Sequence, residues 1–284
     1  MKSQSKFTPS FSLEFFPPKT AKGAGNLRKV RDEFAKLNPA YISVTFGAGG
    51  STQDGTIETV AEIQQAGINA APHLSCIASS TEKLKNILQL YKSKGIKRIV
   101  ALRGDLPSGM QSPGELRYAN ELVELIRKET GDHFKIEVAA YPETHPQARS
   151  ASTDLKNFKR KVDAGADAAI TQYFFNPDAY FSFIDNCESL NIDIPIIPGI
   201  MPITNHTQLA RFSDACGAEI PRWIRKRLED YGDDIESIKA FGLEYTIRLC
   251  DRLLSEGAPG IHFYSMNKVE PTKEIWQALG LKNQ

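Results

Sequence analysis

Hydrophobic and polar positions along the chain repeat a two-part pattern. Short apolar runs of strand length are each followed by a longer segment with apolar residues at helical spacing. "FSLEFF" precedes "NLRKVRDEFAKL", and "YISVTFGA" precedes "GTIETVAEIQQAG". "AAPHLSC" precedes "STEKLKNILQLYKSKG", where Ser79 or Ser80 can cap the helix and Gly95 can end it. The pattern predicts strands that alternate with helices.

The pattern continues to the end of the chain. "RIVALRGD" leads through the loop "LPSGMQSPG" to "YANELVELIRKET", "IEVAAYPE" precedes "TDLKNFKRKVDAGA", and "AAITQYFF" precedes "PDAYFSFIDNCESL". "IPIIPGI" precedes a longer helical tract from about residue 206 to residue 256, and "GIHFYSM" precedes "EPTKEIWQAL". Eight strand–helix units predict an α/β fold with a parallel sheet. We therefore expect a single (β/α)8 TIM barrel with an extra helical segment between strands 7 and 8.

An open doubly wound sheet is the competing fold. It is typically marked by G-x-G-x-x-G between a strand and a helix. The nearest stretch, "FGAGGS", lacks the third glycine at the required place. No linker or low-complexity run interrupts the series of units, so we expect one domain over residues 1–284.

Composition and charge narrow the class of protein. With 41% hydrophobic residues, 24% charged residues and a formal net charge of +1, the chain is typical of soluble globular proteins. It has no basic block suited to nucleic acid, no apolar run long enough for a membrane span, and no apolar signal segment in "MKSQSKFTPS". We expect a cytoplasmic protein without nucleic-acid or membrane partners.

The polar residues of the predicted strands share one face. Glu14 interrupts an apolar run, and its neighbours Leu13 and Phe15 point to the opposite side of the strand. The same alternation applies to polar residues of strands 2 to 5, which are Ser43, Thr45, His73, Ser75, Arg103, Asp105, Glu137 and Tyr141. We expect this face to point into the barrel, with its polar groups near the C-terminal strand ends where barrel active sites lie.

Several of these residues also have structural interpretations. Glu14 could form an ion pair with Arg103, His73 could be a hydrogen-bonded interior histidine, and Asp105 could cap a turn. We predict no metal site, because the chain lacks H-x-H and H-E-x-x-H, and its four cysteines are not spaced as metal pairs. The cysteines are expected to be reduced and buried.

Polar residues on one side of the helix predicted after the fifth strand are of types that can bind a nucleotide. Asp154, Asn157 and Lys161 lie on one side of a helix, and such groups can bind a ribose hydroxyl and a diphosphate. The run "KRK" is more often a solvated face. A Schiff-base role for Lys161 is poorly supported, since the residue lies in a helix, and G-x-S-x-G for a serine nucleophile is absent.

Eight motifs, in order and spread over nearly the whole chain, carry a family resemblance. They are "SLEFFPPKT", "YISVTFGAGGS", "AAPHLSC", "RIVALRGDLP", "VAAYPETHPQA", "DLKNFKRKVDAGADAAITQYFFN", "IIPGIMPI" and "HFYSMN". The chain closely resembles methylenetetrahydrofolate reductase of the bacterial, FAD-containing type. The resemblance implies a flavin-bearing (β/α)8 barrel. It also implies a ping-pong reaction in which NADH or NADPH reduces FAD and the reduced flavin converts 5,10-methylenetetrahydrofolate to 5-methyltetrahydrofolate, which supplies methyl groups for methionine synthesis.

The resemblance also implies roles for individual residues. Glu14 matches the acid catalyst, and Asp105 matches an acidic residue near the flavin and the pterin. Residues that match FAD contacts are Thr45, His73, Arg103, Gly104, Asp105, Tyr118, Ala119, Tyr141, His145, Ala148, Asp154, Asn157, Arg160 and Lys161. Residues that match substrate contacts are Glu14, Asp105, Gln172, Gln208, Phe212 and Lys268.

Three of the substrate positions have an alternative interpretation or differ from the family. Gln208 and Phe212 read equally well as a solvated helix glutamine and a core phenylalanine. At Lys268 the family frequently has arginine, and lysine keeps the charge for a folate glutamate tail but loses the bidentate fork.

Further expectations follow from the resemblance. We expect a homo-oligomer, and no regulatory domain after the barrel, since the chain ends at "LGLKNQ". NADH is favoured as donor, although the sequence does not decide between the two nicotinamides. Two rival functions stay open. One is a flavin-free barrel acting as an aldolase or pterin methyltransferase, and the other is a folate- or nucleotide-binding protein without turnover.

Overall fold

The computed structural model describes residues 1–46, 50–105 and 114–283, without the side chains of residues 50–53. Parts of two sequence features, the "FGAGGS" stretch and the "LPSGMQSPG" loop, lie outside the described residues. The chain divides into two compact units. The first unit contains Met1–Phe11, Ala140–Lys159 and Ile170–Gln284, and the second contains Ser12–Ala139 and Arg160–Ala169. The expectation of a single domain stays a prediction.

Strands and helices alternate as the hydrophobic pattern predicts. In the described part of the chain the strands are β1 (Ser10–Phe15), β2 (Ile42–Val44), β3 (Ala70–Ser75), β4 (Arg98–Leu102), β5 (Lys135–Ala140), β6 (Ala168–Thr171), β7 (Ile196–Ile197), β8 (Gly199–Ile200) and β9 (Gly260–Tyr264). Their order in the sheet is β7-β6-β5-β4-β3-β2-β1-β9-β8. The neighbouring strands β1 to β5 are parallel, and so are β8 and β9.

In the same described residues, one short helix precedes β1 and the other helices follow strands. They are α1 (Lys2–Ser5), α2 (Ala21–Ala35), α3 (Gly50–Gln65), α4 (Thr81–Ser93), α5 (Ala119–Thr130), α6 (Ala151–Asp163), α7 (Pro177–Ser189), α8 (His206–Cys216), α9 (Arg222–Tyr231), α10 (Ile235–Ser255) and α11 (Thr272–Ala278). Ser80 caps α4, because its Oγ accepts a hydrogen bond of 3.2 Å from the Lys83 amide. The short helix α1 was not predicted.

The last third of the chain differs in detail from the sequence pattern. The single tract expected from about residue 206 to residue 256 forms three helices, since Gly217 ends α8 with φ 77° and Pro221 begins α9. The predicted strand 7 is divided into β7 and β8 by Pro198, which has no amide hydrogen to donate. The Pro198 carbonyl still accepts a 3.0 Å hydrogen bond from the His262 amide.

The fold class is the (β/α)8 barrel class, and the segment before the last strand contains three helices, α8, α9 and α10, where the repeat requires one. This prediction is confirmed. In the first unit an apolar cluster that includes Tyr173, Ile203, Ile224 and Ile238 joins α8, α9 and α10 to the end of β6. No helix in the described ranges is long and apolar enough to cross a membrane.

A buried ion pair explains one of the inward polar residues of the second unit. Glu137 is fully buried, pairs with Arg98, and accepts a 2.7 Å hydrogen bond from the Tyr41 hydroxyl. The Arg98 guanidinium lies 4.2 Å from the centre of the Tyr41 ring. Burial, followed by the Glu137 charge, raises the pKa of Tyr41 well above its usual range. Because every polar group of this set has a partner within it, we interpret Glu137 as structural.

Candidate functional site

Glu14 and His73 form a carboxylate–imidazole pair in the second unit. Glu14 lies near the C-terminal end of β1, and its Oε2 is 3.3 Å from Nε2 of His73 on β3. Both side chains are largely buried, at 17% and 10% exposure. The strand between them has the small residue Ser43 beside Glu14, which leaves room for the two longer side chains to meet. Sequence reasoning had considered Arg103 as a partner of Glu14 and had not predicted the contact with His73.

The segment Arg103–Gly104–Asp105 forms a fixed turn after β4. The Arg103 carbonyl accepts hydrogen bonds from the Ile77 amide at 2.9 Å and from Ser75 Oγ at 2.7 Å. Gly104 has φ 83°, and a Cβ at this position would lie 1.8 Å from Ser75 Oγ, so only glycine fits. Asp105 follows the turn and is exposed. The turn therefore presents an exposed carboxylate from a rigid backbone.

Three further predicted residues of the second unit lie at the end of a strand or the start of a helix. Thr45 directly follows β2, and its amide donates to the Phe15 carbonyl at 2.9 Å. Tyr118 precedes α5, is 59% exposed, and its amide donates to Glu121 Oε2 at 3.0 Å. Ala119 is the first residue of that helix. An exposed aromatic ring next to a helix N-terminus suits contact with a planar, anionic ligand.

Lys161 does not extend into solvent from the "KRK" run. It is half-buried, and its Nζ donates a 2.5 Å hydrogen bond to the Ala139 carbonyl at the end of β5. Arg160 beside it is exposed. Arg160 is therefore exposed, as the solvated-face interpretation predicts, whereas Lys161 is not.

In the first unit the loop after β5 is held by residues of α6. The Tyr141 ring lies 4.5 Å from the His145 ring, centre to centre. The His145 amide donates to Asp154 Oδ2 at 2.8 Å, and the Ala148 amide donates to the His145 carbonyl at 2.8 Å. His145 Nδ1 accepts a 3.0 Å hydrogen bond from the Gln147 amide. Because an acceptor nitrogen carries no proton, a neutral His145 has its ring proton on Nε2.

Asn157, the middle of the three residues predicted to share one side of α6, is exposed. Asp154, one turn earlier, is half-buried and holds the loop by its bond to the His145 amide. The carboxylate therefore shapes the loop, which sequence spacing alone did not indicate.

Gln172 directly follows β6, and both its main chain and its side chain are held. Its amide donates to the Ala140 carbonyl at 2.8 Å, and its side-chain Oε1 accepts from the Tyr173 amide at 3.0 Å. The residue borders a small cavity that is open to solvent. The cavity is lined by Tyr141, Pro142, Glu143, Thr144, Gln172, Tyr173, Cys216, Gly217 and Ala218.

Three titratable residues that line this cavity, Glu143, Tyr173 and Cys216, were not predicted as site residues. Glu143 Oε2 accepts a 2.8 Å hydrogen bond from the Glu219 amide, and burial raises the pKa of the Glu143 carboxyl. The Cys216 thiol lies 3.3 Å from the Tyr173 hydroxyl. Glu143 belongs to the "YPETHP" motif, which was the available sequence signal.

The other predicted substrate contacts lie on α8 and after β9. Asn205 caps α8 by accepting from the Gln208 amide at 2.8 Å, and Gln208 and Phe212 are half-buried one turn apart. Phe212 packs against the apolar cluster, and the Arg211 guanidinium lies 5.3 Å from its ring centre. Lys268 is exposed. In the described part of the chain, no group of three His, Cys, Asp or Glu residues is placed to hold a metal ion.

Comparisons with known proteins identify the family. Residues 2–280 match the family model described as methylenetetrahydrofolate reductase. The 5,10-methylenetetrahydrofolate reductase of Escherichia coli (strain K12) is 43% identical over 272 residues, which cover 95% of this chain and 90% of that protein. The protein of the same name from Buchnera aphidicola subsp. Schizaphis graminum (strain Sg) is 42% identical, with 95% and 91% of the two chains covered.

More distant matches agree with the fold. "Methylenetetrahydrofolate reductase (NADH) 1" of Arabidopsis thaliana is 37% identical, and the match covers 96% of this chain and 48% of that protein. The solved structure of an uncharacterized protein from Clostridium thermocellum, which binds two copies of 5-methyl-5,6,7,8-tetrahydrofolic acid, gives a TM-score of 0.69. That match covers 98% of this chain and 95% of the other at 17% identity, and it shows the shared fold alone. Because the family model and relatives above 40% identity both span nearly the whole sequence, this chain belongs to the methylenetetrahydrofolate reductase family.

Proposed function

We propose that the protein reduces 5,10-methylenetetrahydrofolate to 5-methyltetrahydrofolate, with NADH or NADPH as electron donor and FAD as bound cofactor, in a ping-pong reaction. Family membership supports the substrate, since the relatives carry its name. The observation that carries the chemistry is the largely buried Glu14 carboxyl, 3.3 Å from His73 near the end of its strand. The product would serve as a methyl donor for methionine synthesis.

The donor groups present fit FAD. Arg160 is an exposed cation, Lys161 is a cation next to the end of β5, and Gly104 lies in a partly exposed turn. Cations and exposed backbone suit an anionic diphosphate, and hydroxyl and amide groups suit ribose. We propose that FAD is held by Thr45, His73, Arg103, Gly104, Asp105, Tyr118, Ala119, Tyr141, His145, Ala148, Asp154, Asn157, Arg160 and Lys161. When bound, FAD would carry two electrons between the nicotinamide and the folate.

Glu14 is proposed as the general acid. The imidazolidine ring of methylenetetrahydrofolate must open to an iminium before its one-carbon unit can accept hydride, and opening requires a proton on the leaving nitrogen. A carboxyl group within hydrogen-bond reach of that nitrogen can supply the proton. His73 at 3.3 Å can orient the carboxyl. Little water reaches Glu14, because its side chain is 17% exposed.

Asp105 is proposed to act through its charge. The exposed carboxylate is carried by a backbone turn that Ser75 and Gly104 hold in place. A fixed negative charge near the substrate stabilises the cationic iminium as it forms. The same charge opposes electron uptake by a neighbouring group, so we expect Asp105 to lower the reduction potential at this site.

The remaining substrate contacts are proposed from family resemblance and exposure. Gln172 borders the small cavity and would contact the pterin and the nicotinamide. Gln208 and Phe212, half-buried on one side of α8, would contact the folate. Lys268 is exposed and would form a single charge contact with the glutamate tail.

Anaerobic half-reactions test the proposal. The purified protein, loaded with FAD if necessary, should absorb at about 450 nm, bleach with NADH or NADPH, and recover its absorption when methylenetetrahydrofolate is added. A colourless protein that cannot be loaded with FAD would favour the flavin-free barrel. Reduced flavin that is not reoxidised by the folate would favour the binding protein without turnover.

A further inference from the structure

The end of β6 is held by hydrogen bonds from β8 and β9 of the first unit. The Thr171 carbonyl accepts a 2.7 Å hydrogen bond from the Tyr264 hydroxyl, at the end of β9. The Thr171 Oγ1 accepts a 2.9 Å hydrogen bond from the Gly199 amide, at the start of β8. Thr171 itself is fully buried. A residue that carries two such bonds in a buried position has a well-defined backbone orientation.

Close packing fixes the Tyr264 ring as well. A Cβ added at Gly199 would lie 2.2 Å from the Thr171 carbonyl oxygen and 2.6 Å from an edge carbon of the Tyr264 ring. The ring also packs edge-on against His262 at 5.4 Å and Tyr173 at 6.3 Å between centres. The hydroxyl therefore approaches Thr171 from a ring with little freedom to move.

The Tyr173 amide determines which end of the Gln172 side-chain amide is available. Two hydrogen bonds also hold the peptide that joins Thr171 to Gln172. Its carbonyl accepts from the Tyr264 hydroxyl, and its amide, that of Gln172, donates to the Ala140 carbonyl at 2.8 Å. The Gln172 side-chain Oε1 accepts from the Tyr173 amide at 3.0 Å. A backbone amide can only donate, so the atom facing it must be the oxygen and the other must be Nε2. Gln172 therefore offers Nε2, a hydrogen-bond donor, to a ligand.

We propose that Tyr264 is a positioning residue for the reaction. Through the Thr171 carbonyl it holds the Thr171–Gln172 peptide, and thereby aims the Gln172 Nε2 donor at an acceptor atom of the substrate. The proposal deepens the proposed function and rests on it, because Gln172 is taken as a substrate contact there. Tyr264 itself is not required to touch the substrate.

Tyr264→Phe tests this with a matched control in Tyr180→Phe. The Tyr180 hydroxyl donates to the Ile196 carbonyl at 2.7 Å, so both variants delete one tyrosine bond to a strand carbonyl in the first unit. Tyr180 lies on α7 and contacts none of the proposed ligand residues through this bond. We expect kcat/KM for methylenetetrahydrofolate to fall about 3- to 10-fold in Tyr264→Phe and less than about 2-fold in Tyr180→Phe. Flavin retention should be the same in both.

A double-mutant cycle separates positioning from general destabilisation. If Tyr264 acts through Gln172, Tyr264→Phe should have little further effect in a Gln172→Ala background. Equal losses in Tyr264→Phe and Tyr180→Phe, or a Tyr264 effect that persists in full without the Gln172 side chain, would overturn the proposal. Both results presuppose a parent protein that turns over methylenetetrahydrofolate. An inactive parent that holds FAD would count against the proposed function itself.

Discussion

Replacement of Glu14 by glutamine isolates the proton that we assign to this residue. Glu14→Gln keeps the side-chain volume, so the contact at 3.3 Å from His73 Nε2 can persist. The cost in stability should therefore be below about 1 kcal/mol. What the variant loses is the acidic proton. General acid catalysis typically contributes ~10²- to 10⁴-fold, which corresponds to about 3 to 5 kcal/mol of activation free energy.

The burial of Glu14 predicts a loss of rate in the upper part of the ~10²- to 10⁴-fold range. Water can substitute for a missing acid only where it reaches the reacting nitrogen, and the Glu14 side chain is 17% exposed with a 10% exposed partner. We expect at least about 10³-fold slower reoxidation of reduced flavin by methylenetetrahydrofolate. Reduction of the flavin by NADH should stay within about 2-fold of the parent, since that step needs no proton on a folate nitrogen.

Stopped-flow measurement of the two half-reactions gives both rates separately. Glu236→Gln is a matched control, because it makes the same exchange in an exposed i,i+3 pair with Lys239 on α10. It should leave both half-reactions unchanged. Folate-dependent reoxidation at the parent rate in Glu14→Gln would refute the acid role. Equal losses in both half-reactions would instead indicate that Glu14 maintains the structure of the site.

Three further predictions concern groups outside this pair. Tyr91→Phe should keep or raise the melting temperature, since the Tyr91 hydroxyl is buried without a hydrogen-bond partner in the described part of the chain, whereas Tyr180→Phe should cost about 1 kcal/mol; a lower melting temperature for Tyr91→Phe would contradict this. Burial raises the folded-state pKa of Glu143, so its stabilising contribution is present at acidic pH and is lost as pH rises through that pKa; Glu143→Gln should therefore stabilise the protein at pH 7 relative to the parent and not at pH 4, in thermal melts at both pH values. Thiol alkylation of the native protein at pH 8 should be confined to the half-buried Cys216, since the other three cysteines are buried and burial raises the pKa of Cys76, for example, to about 11; mass spectrometry that finds a second labelled site would contradict this.

The order of strands and helices could be predicted because it depends on local patterns. Apolar residues at period two or at helical spacing are visible in any window of the chain, and so are caps such as Ser80. The positions where prediction failed in detail are also local exceptions. Pro198 divides one strand, and Gly217 and Pro221 divide one helical tract. In the sequence these single residues are less conspicuous than the hydrophobic pattern on either side of them.

The candidate site was predictable only in part. Alternation indicated that Glu14, His73 and Arg103 share a face, and family resemblance assigned their roles. Neither indicated that Glu14 meets His73, that Ser75 holds the Arg103 turn, or that Lys161 reaches the end of β5. Alternation gives the side of a strand on which a residue lies, whereas the contact also requires the register between strands.

The sequence by itself determined the fold class, the family and the chemical types of residue at the strand ends. Each of these depends on short sequence motifs or on the periodicity of apolar residues over a few positions. Tertiary structure alone decided which of those residues touch. Glu14 and His73 meet across β2, and Tyr264 bonds to Thr171, which lies 93 residues earlier. Such contacts follow from how parallel strands align, since a shift of one residue turns every side chain of a strand to its other face.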